Sequence, residues 1–306
     1  MNTEELKIIL EQNVHGIDQE FKRLFHGRGS LYGEEWKFLT IDSIDTILSV
    51  AFYFPIDEDK ESELLKMLKD FVSHSRYNTF ILQRRHLQKA PTEIIMGSLK
   101  DDLYVRENNL KIKLNLLSNQ NNGYFPDMKN GRAYIKSIAK DKKVLNLFSY
   151  TCAFSLAALQ GEASQVVNMD MAKNALNTGR ENHHLNNLDT KKVKFYPHNI
   201  LKSFSRIKKD GPFDIIIIDP PTLQKGSFEA TKDYDKIIKR LDSFSADGTI
   251  VLACLNSPDL DENFIINIFK EYAPNFTFVK RLENLEEFKS FDESRSLKNL
   301  VFKKES

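Results

Sequence analysis

The 306-residue chain has almost no net charge, only two cysteines, no long apolar run and no cluster of residues at metal-ligand spacing. Each shortage excludes something. Its 44 basic residues face 43 acidic ones, so no global positive field announces a nucleic acid partner, and local patches would have to supply one. Cys152 and Cys254, both at expected strand ends in the C-terminal half, fit a reducing compartment rather than a disulfide framework. The first residues carry acidic charge ahead of a short amphipathic stretch and lack a signal-peptide core, and nothing approaches membrane-spanning length. A cytoplasmic location with no membrane partner is the expectation. His183 and His184 are expected to cap or solvate their helix rather than to hold a metal.

The N-terminal part reads as a small α+β domain over residues 1–120, with the remainder, 121–306, as a second domain. Thr3 opens one helical pattern, and Ile17 to Phe25 reads as a second helix. Two strands joined near Asp45 are expected between Lys37 and Phe54, then a helix from Glu61 to His74, then strands at Thr79 to Leu82, Glu93 to Gly97 and Leu110 to Leu117. From Phe71 to Thr92 there is no acidic residue, while Arg76, Arg84, Arg85 and Lys89 interleave with His74, His86, Tyr77 and Phe80. Such a stretch can hold phosphates and stack bases, or it can simply be a solvated cationic face. The turn His26-Gly27-Arg28-Gly29 divides the same way, between close approach to a phosphate and plain chain reversal.

Beyond Asn122 strands and helices alternate, with Asp127 placed to start a helix through Ile138. Strands are expected at Lys143 to Phe148, Gln165 to Asp170, Lys192 to Tyr196, Phe213 to Asp219 and Gly248 to Cys254, followed by Phe276 to Arg281 and Leu297 to Phe302, the last closing the sheet edge. Alternation at this spacing means a parallel sheet that binds ligands at the carboxyl ends of its strands. Those ends carry polar groups: Asn146 to Cys152 after the first strand, Asp170 after the second, His198-Asn199 after the third. A carboxylate about 20 positions beyond the first strand suits a ribose diol, and an amide one strand later suits an adenine edge. The plainer role for Asp170 and Asn199 is capping of the helices expected at Met171 to Asn186 and Ile200 to Ile207. A nicotinamide dinucleotide would need Gly-x-Gly-x-x-Gly after the first strand, but Ser149 to Phe154 contains no glycine. Asp219-Pro220-Pro221-Thr222 ends a run of four isoleucines, and its prolines stiffen a loop whose carbonyls could accept from a base nitrogen.

Together, Gly123 to Arg132, Val144 to Thr151, Asp170, Arg180-Glu181-Asn182 and Asp219-Pro220-Pro221 resemble the class I methyltransferases of 23S ribosomal RNA, the cytosine-C5 and guanine-N7 types above all. The likeness spans roughly residues 90–306 and extends more weakly to the strand-rich domain before it. It implies a Rossmann-like, seven-stranded α/β methyltransferase domain, S-adenosylmethionine as cofactor, and RNA, above all large-subunit ribosomal RNA, as partner. By this resemblance Tyr124, Phe125 and Asp127, with Asn146, Phe148, Ser149, Tyr150 and Thr151, contact the methionine part of the cofactor. Asp170 then takes the ribose and Asn199 the adenine, while Asp219, Pro220 and Pro221 face both methyl donor and base. Family members usually have glycine where Cys152 stands, and a side chain there is expected to narrow the approach of the cofactor. The PUA RNA-binding domain of the cytosine-C5 type is not found, which leaves RNA docking to residues 1–120 or implies a different substrate.

Methyl transfer from a sulfonium is an in-line displacement governed by positioning. Guanine N7 is already nucleophilic, whereas cytosine C5 needs a thiolate at C6, for which Cys254 is the candidate and a buried core residue the plainer reading. Two other functions fit the same motifs. One is a methyltransferase acting on a small molecule or protein, and the other is a non-catalytic S-adenosylmethionine-binding adaptor for RNA or protein.

Overall fold

The computed structural model describes residues 2–15, 20–117, 120–224 and 228–305. The chain divides into two compact units, Met1–Pro126 with Leu285–Asp292, and Asp127–Asn284 with Glu293–Ser306.

In the first unit α1 (Thr3–Val14) starts in a capping box, with the Asn2 side chain accepting from Glu5 N and the Glu5 carboxylate accepting from Asn2 N. Then follow β1 (Phe21–His26), β2 (Leu39–Ile44), β3 (Ile47–Phe52), α2 (Glu58–Ser73, capped by Asp57), β4 (Thr79–Arg84) and β5 (Thr92–Met96). A separate hairpin pairs β6 (Tyr104–Glu107) with β7 (Leu110–Lys113). The five-stranded sheet runs β1-β2-β3-β4-β5, antiparallel except between β3 and β4. Leu6 and Leu10 of α1, and Leu64, Leu68 and Phe71 of α2, pack with Ile41, Val50 and Phe52 of the sheet. The helix expected over Ile17 to Phe25 is therefore corrected. Residues 17–19 lie outside the described ones, and Phe21 onward is a strand whose Phe21, Leu24 and Phe25 are buried. A short apolar run has no period of its own, and pairing with β2 decides it.

The second unit comprises α3 (Lys129–Ile138), β8 (Lys143–Leu147), α4 (Ala153–Gln160), β9 (Gln165–Met169), α5 (Lys173–Leu185), β10 (Val193–Tyr196), α6 (Phe204–Asp210) and β11 (Phe213–Ile218). After a two-residue ribbon, β12 (Leu223–Gln224) with β13 (Phe228–Glu229), come α7 (Ala230–Ile238), β14 (Ser245–Leu255), α8 (Glu262–Tyr272), β15 (Phe276–Leu282) and β16 (Lys298–Lys304). The sheet order is β10-β9-β8-β11-β14-β16-β15, with only β16 reversed, the expected seven-stranded Rossmann-like architecture. The four isoleucines of β11 show why such strands read as continuous apolar runs. Ile216 and Ile218 face a core built with α7 and α8, while Ile215 and Ile217 face a second core built with α3 and α4.

Three boundaries differ from the sequence reading. The last strand does not close the sheet: β16 lies between β14 and β15, buried from Lys298 to Phe302, and β15 forms the edge with Thr277 to Lys280 exposed. Asp127 does not cap α3, whose N-cap is Met128. The helix expected from Ile200 to Ile207 is a single 3-10 turn, Ile200–Lys202, followed by α6. Among the described residues no helix is long and apolar enough to cross a membrane.

Candidate functional site

Strand order reverses about β8, whose neighbours are β9 and β11, and a crevice opens beyond the carboxyl end of a sheet at such a point. The turn leaving β8 is unusual. Phe148, Tyr150 and Cys152 hold φ values of 57°, 45° and 65°, three left-handed residues at alternate positions with no glycine among them. Each costs on the order of 1 kcal/mol or more, so something must hold the turn.

Asp170 holds it. One carboxylate oxygen accepts from Tyr150 N at 2.9 Å and the other from Ala172 N at 2.8 Å. The plainer alternative of capping α5 falls away, since that helix begins at Lys173 with Ala172 as its N-cap. Each oxygen keeps a lone pair for a further donor, so a vicinal diol could still be accepted. On the other side, the Asn182 amide of α5 donates to Thr151 O at 3.1 Å.

Beneath the turn runs a buried polar chain. Asn146 Nδ2 donates to Asn168 Oδ1 (2.9 Å), Asn168 Nδ2 to Ser155 Oγ (3.0 Å), Ser155 Oγ meets His183 Nε2 (2.9 Å), and His183 Nδ1 meets Gly179 O (2.6 Å). A carbonyl only accepts, so Nδ1 carries the proton, Nε2 accepts, and Ser155 donates to it. His183 is thus fully buried, not the solvated or capping residue expected, and burial holds its pKa at about 4. His184 is exposed.

Cys152 is also fully buried, and burial pushes its thiol up to about 12. Its side chain turns into α5: a Cβ built on Gly179 would stand 2.5 Å from Cys152 Sγ. Cys152 is therefore matched by a glycine opposite, whose missing side chain leaves room for the thiol. Gly179→Ala is expected to cost about 1–3 kcal/mol by overpacking, and Cys152→Gly in the same chain to recover most of it. Thermal unfolding of both singles and the double gives the coupling, and additive losses would contradict the pairing.

A shallow open cleft lies at the ends of β8, β9 and β10. Phe148, Met171, Ile200, Leu201 and Phe228 give it apolar walls, and His198 and Asn199 its polar ones. Phe148 and Phe228 meet edge to face, centroids 4.9 Å apart. Asn199 caps the 3-10 turn through Lys202 N (3.3 Å), and its amide touches Met171 Sδ (3.5 Å). Met171, Ile200, Leu201 and Phe228 escaped the sequence reading. Only Met171, directly after the strand-end acid, had a local signal; Phe228 arrives from a distant ribbon.

Asp219 and Pro220 follow β11, Pro220 buried and Pro221 exposed. Thr222 Oγ1 donates to Asn256 O at 2.7 Å, tying this loop to the one after β14, which Lys298 Nζ holds by Ser257 O (2.7 Å) and Leu260 O (2.6 Å). Desolvation first, then the neighbouring Asp127, raise Asp219 to about 7 against the pull of Arg132. Cys254 is buried in the α3/α4 core, its thiol pushed far up by desolvation and by Asp219 and Asp127. Tyr124 and Phe125 belong to the first unit, where the Tyr124 hydroxyl donates to Glu107 and Phe125 is 38% exposed.

Two titrations then oppose each other. His183, about 4 folded against 6.5 ordinarily, contributes stability that is present above pH 6.5 and lost toward pH 4. Asp219, raised from 3.8 to about 7, favours the folded chain at low pH and costs stability as pH rises through 7. Asp219→Asn is expected to be more stable than wild type above pH 7 and to lose more stability between pH 7 and 5, read from denaturant midpoints. Parallel pH curves for the variant and the wild type would contradict the Asp219 assignment.

The family model for S-adenosylmethionine-dependent methyltransferases matches residues 22–303. The Bacillus subtilis protein YwbD, assigned as a ribosomal RNA large subunit methyltransferase, is 29% identical over 92% of this chain and 74% of its own. Ribosomal RNA large subunit methyltransferase I of Pseudoalteromonas translucida is 28% identical over 87% and 71%. A solved protein assigned as a methyltransferase and complexed with SAH superposes with a TM-score of 0.87 over 99% of this chain and 82% of its own, at 22% identity, a likeness of fold. The match covers the strand-end turn, Asp170, the cleft and the Asp219 loop in one continuous stretch, and on it the chain belongs to the S-adenosylmethionine-dependent methyltransferase family.

Proposed function

We propose that the protein transfers a methyl group from S-adenosylmethionine to a base of large-subunit ribosomal RNA, in the cytoplasm. The observation that carries the cofactor reading is the single Asp170 carboxylate, which locks the turn after β8 and directly precedes Met171, a wall of the apolar cleft at the ends of β8 to β10. The residues fit the group. Phe148, Met171 and Ile200 would flank the adenine, Asn199 would meet its edge, and Asp170 would accept from the ribose hydroxyls. Ser149, whose buried hydroxyl has no hydrogen-bond partner beyond a weak contact with the Cys152 thiol, would serve the methionine part along with Asn146, Tyr150, Thr151 and Asp127. When bound, the sulfonium supplies an activated methyl for in-line displacement. The names of the relatives support ribosomal RNA as the acceptor.

The stiff Asp219-Pro220-Pro221 loop would orient the base through its carboxyl group and carbonyls. With Asp219 near 7 it can present either a donor or an acceptor at neutral pH. Cys254 is a poor source of thiolate: it is buried, two carboxylates oppose its ionisation, and it sits among Val144, Ile217 and Leu252. An acceptor atom already nucleophilic, such as guanine N7, suits the site better than cytosine C5. Cys254→Ala is accordingly expected to keep methyl transfer within about threefold of wild type while losing about 1–2 kcal/mol of stability. A loss of activity above about a thousandfold would restore the thiolate route.

Transfer of labelled methyl to ribosomal RNA from a deletion strain tests the whole reading. Nucleoside mass spectrometry then identifies the base. Binding of the cofactor without transfer to that RNA would leave the small-molecule, protein and adaptor alternatives.

A further inference from the structure

The cations of the acid-free stretch separate into two groups. Arg84 lies 2.6 Å from Glu61 and 3.6 Å from Glu93, and Arg76 lies 3.8 Å from Asp45, so these charges are answered within the unit. Arg85 bonds only to neutral groups, Gln83 Oε1, Gln120 O and Asn121 Oδ1. Its charge also acts on Asp42, which is already bound by Arg23 at 2.5 Å. Arg28 and Lys89 likewise have no carboxylate within 4.0 Å among the described residues.

Topology gathers this second group. β1 and β3 both run antiparallel to β2, and β3 runs parallel to β4, so the turns that leave β1, β3 and β4 emerge at one edge of the sheet. Arg28 comes from the first turn, Tyr53 and Phe54 from the second, and Arg85, Leu87 and Lys89 from the third. The Arg28 guanidinium lies 4.1 Å from the Tyr53 ring centroid and that of Arg85 5.2 Å from the same ring. Phe54 and Leu87 are 56% and 46% exposed beside them. The Arg28 turn is rigid: Gly27 and Gly29 are buried, and a Cβ on Gly29 would stand 2.6 Å from Lys289 O.

We propose that this edge, Arg28, Tyr53, Phe54, Arg85 and Lys89, is a docking site for unpaired nucleotides of the substrate RNA. The inference rests on the RNA reading above and places its recognition surface. Two guanidiniums over one aromatic ring bring positive charge and π surface together, the combination that binds single-stranded RNA. Of the cations in the acid-free stretch, Arg76 and Arg84 are then structural, while Arg28, from outside that stretch, joins Arg85 and Lys89 in the site.

The test uses the full chain, with a fluorescent oligouridylate and deproteinised large-subunit ribosomal RNA as probes. Arg28→Glu with Arg85→Glu is compared with a charge-matched control on exposed α2 positions, Lys66→Glu with Lys69→Glu. The site predicts RNA affinity at least about tenfold weaker for the first pair, with a salt dependence shallower by about 0.7 per lost phosphate contact and S-adenosylmethionine binding unchanged. The control pair should bind RNA as the wild type does. Arg28→Lys with Arg85→Lys, which keeps charge but loses the planar stack, should weaken binding about threefold and serves if the reversal does not fold. Equal weakening by both Glu pairs, or wild-type affinity and KM in the Arg28/Arg85 variants while the wild type methylates RNA, overturns the site alone. A wild type that binds cofactor but neither RNA probe overturns the site and the RNA reading together.

Discussion

Asp170→Ala is expected to weaken S-adenosylmethionine binding at least about 100-fold, since it removes two charge-assisted backbone hydrogen bonds and the acceptor for the ribose at once. Without the carboxylate, Tyr150 N and Ala172 N lose their partners, and the strained positions at Phe148, Tyr150 and Cys152 lose what opposes their relaxation. The loss should be larger than contact with the diol alone would give. Asp170→Asn should fall between, because one amide oxygen can still accept from one of the two backbone N-H groups. Calorimetric titration of the cofactor measures both. An alanine variant within about threefold of the wild-type Kd would remove Asp170 from the site.

Asn168→Ala is expected to cost on the order of 4 kcal/mol of folding stability, or roughly 10 °C in thermal midpoint. Asn168 is the middle of the buried chain, accepting from Asn146 and donating to Ser155. Its removal leaves the buried Asn146 amide without its acceptor, worth about 1–3 kcal/mol, takes from Ser155 Oγ its donor while the bond to His183 remains, and adds a cavity. Combined with Ser155→Ala the losses should be less than additive, because the second substitution removes a group already left without its donor. A loss below about 1 kcal/mol for Asn168→Ala would show that the chain rearranges around the gap. Cofactor binding should weaken as well, since Asn146 sits one strand residue before the end of β8.

The parallel sheet of the second unit was legible because a strand covered on both faces must be apolar at every position. Ile215 to Ile218 serve two cores and leave no other element for such a run. Asp170 was legible for a related reason, a charge standing where an apolar run stops. By contrast, Phe21 to His26 has too few residues to reveal a period, and β2 makes it a strand. The order of β16 and β15 depends on which of two apolar strands is covered from both sides. His183 looked like any polar residue near a helix end, because its partner Ser155, and Asn168 behind that, come from two other elements. Where the Cys152 thiol packs had no local signal either, because the space it fills is left by Gly179 on α5. Sequence by itself determined the fold class, the strand ends that carry polar groups and the carboxylate at their centre, since each follows from burial along a single segment. Tertiary structure alone decided which cations remain uncompensated, which thiols can ionise and what holds the strained turn, because those depend on neighbours brought together from distant parts of the chain.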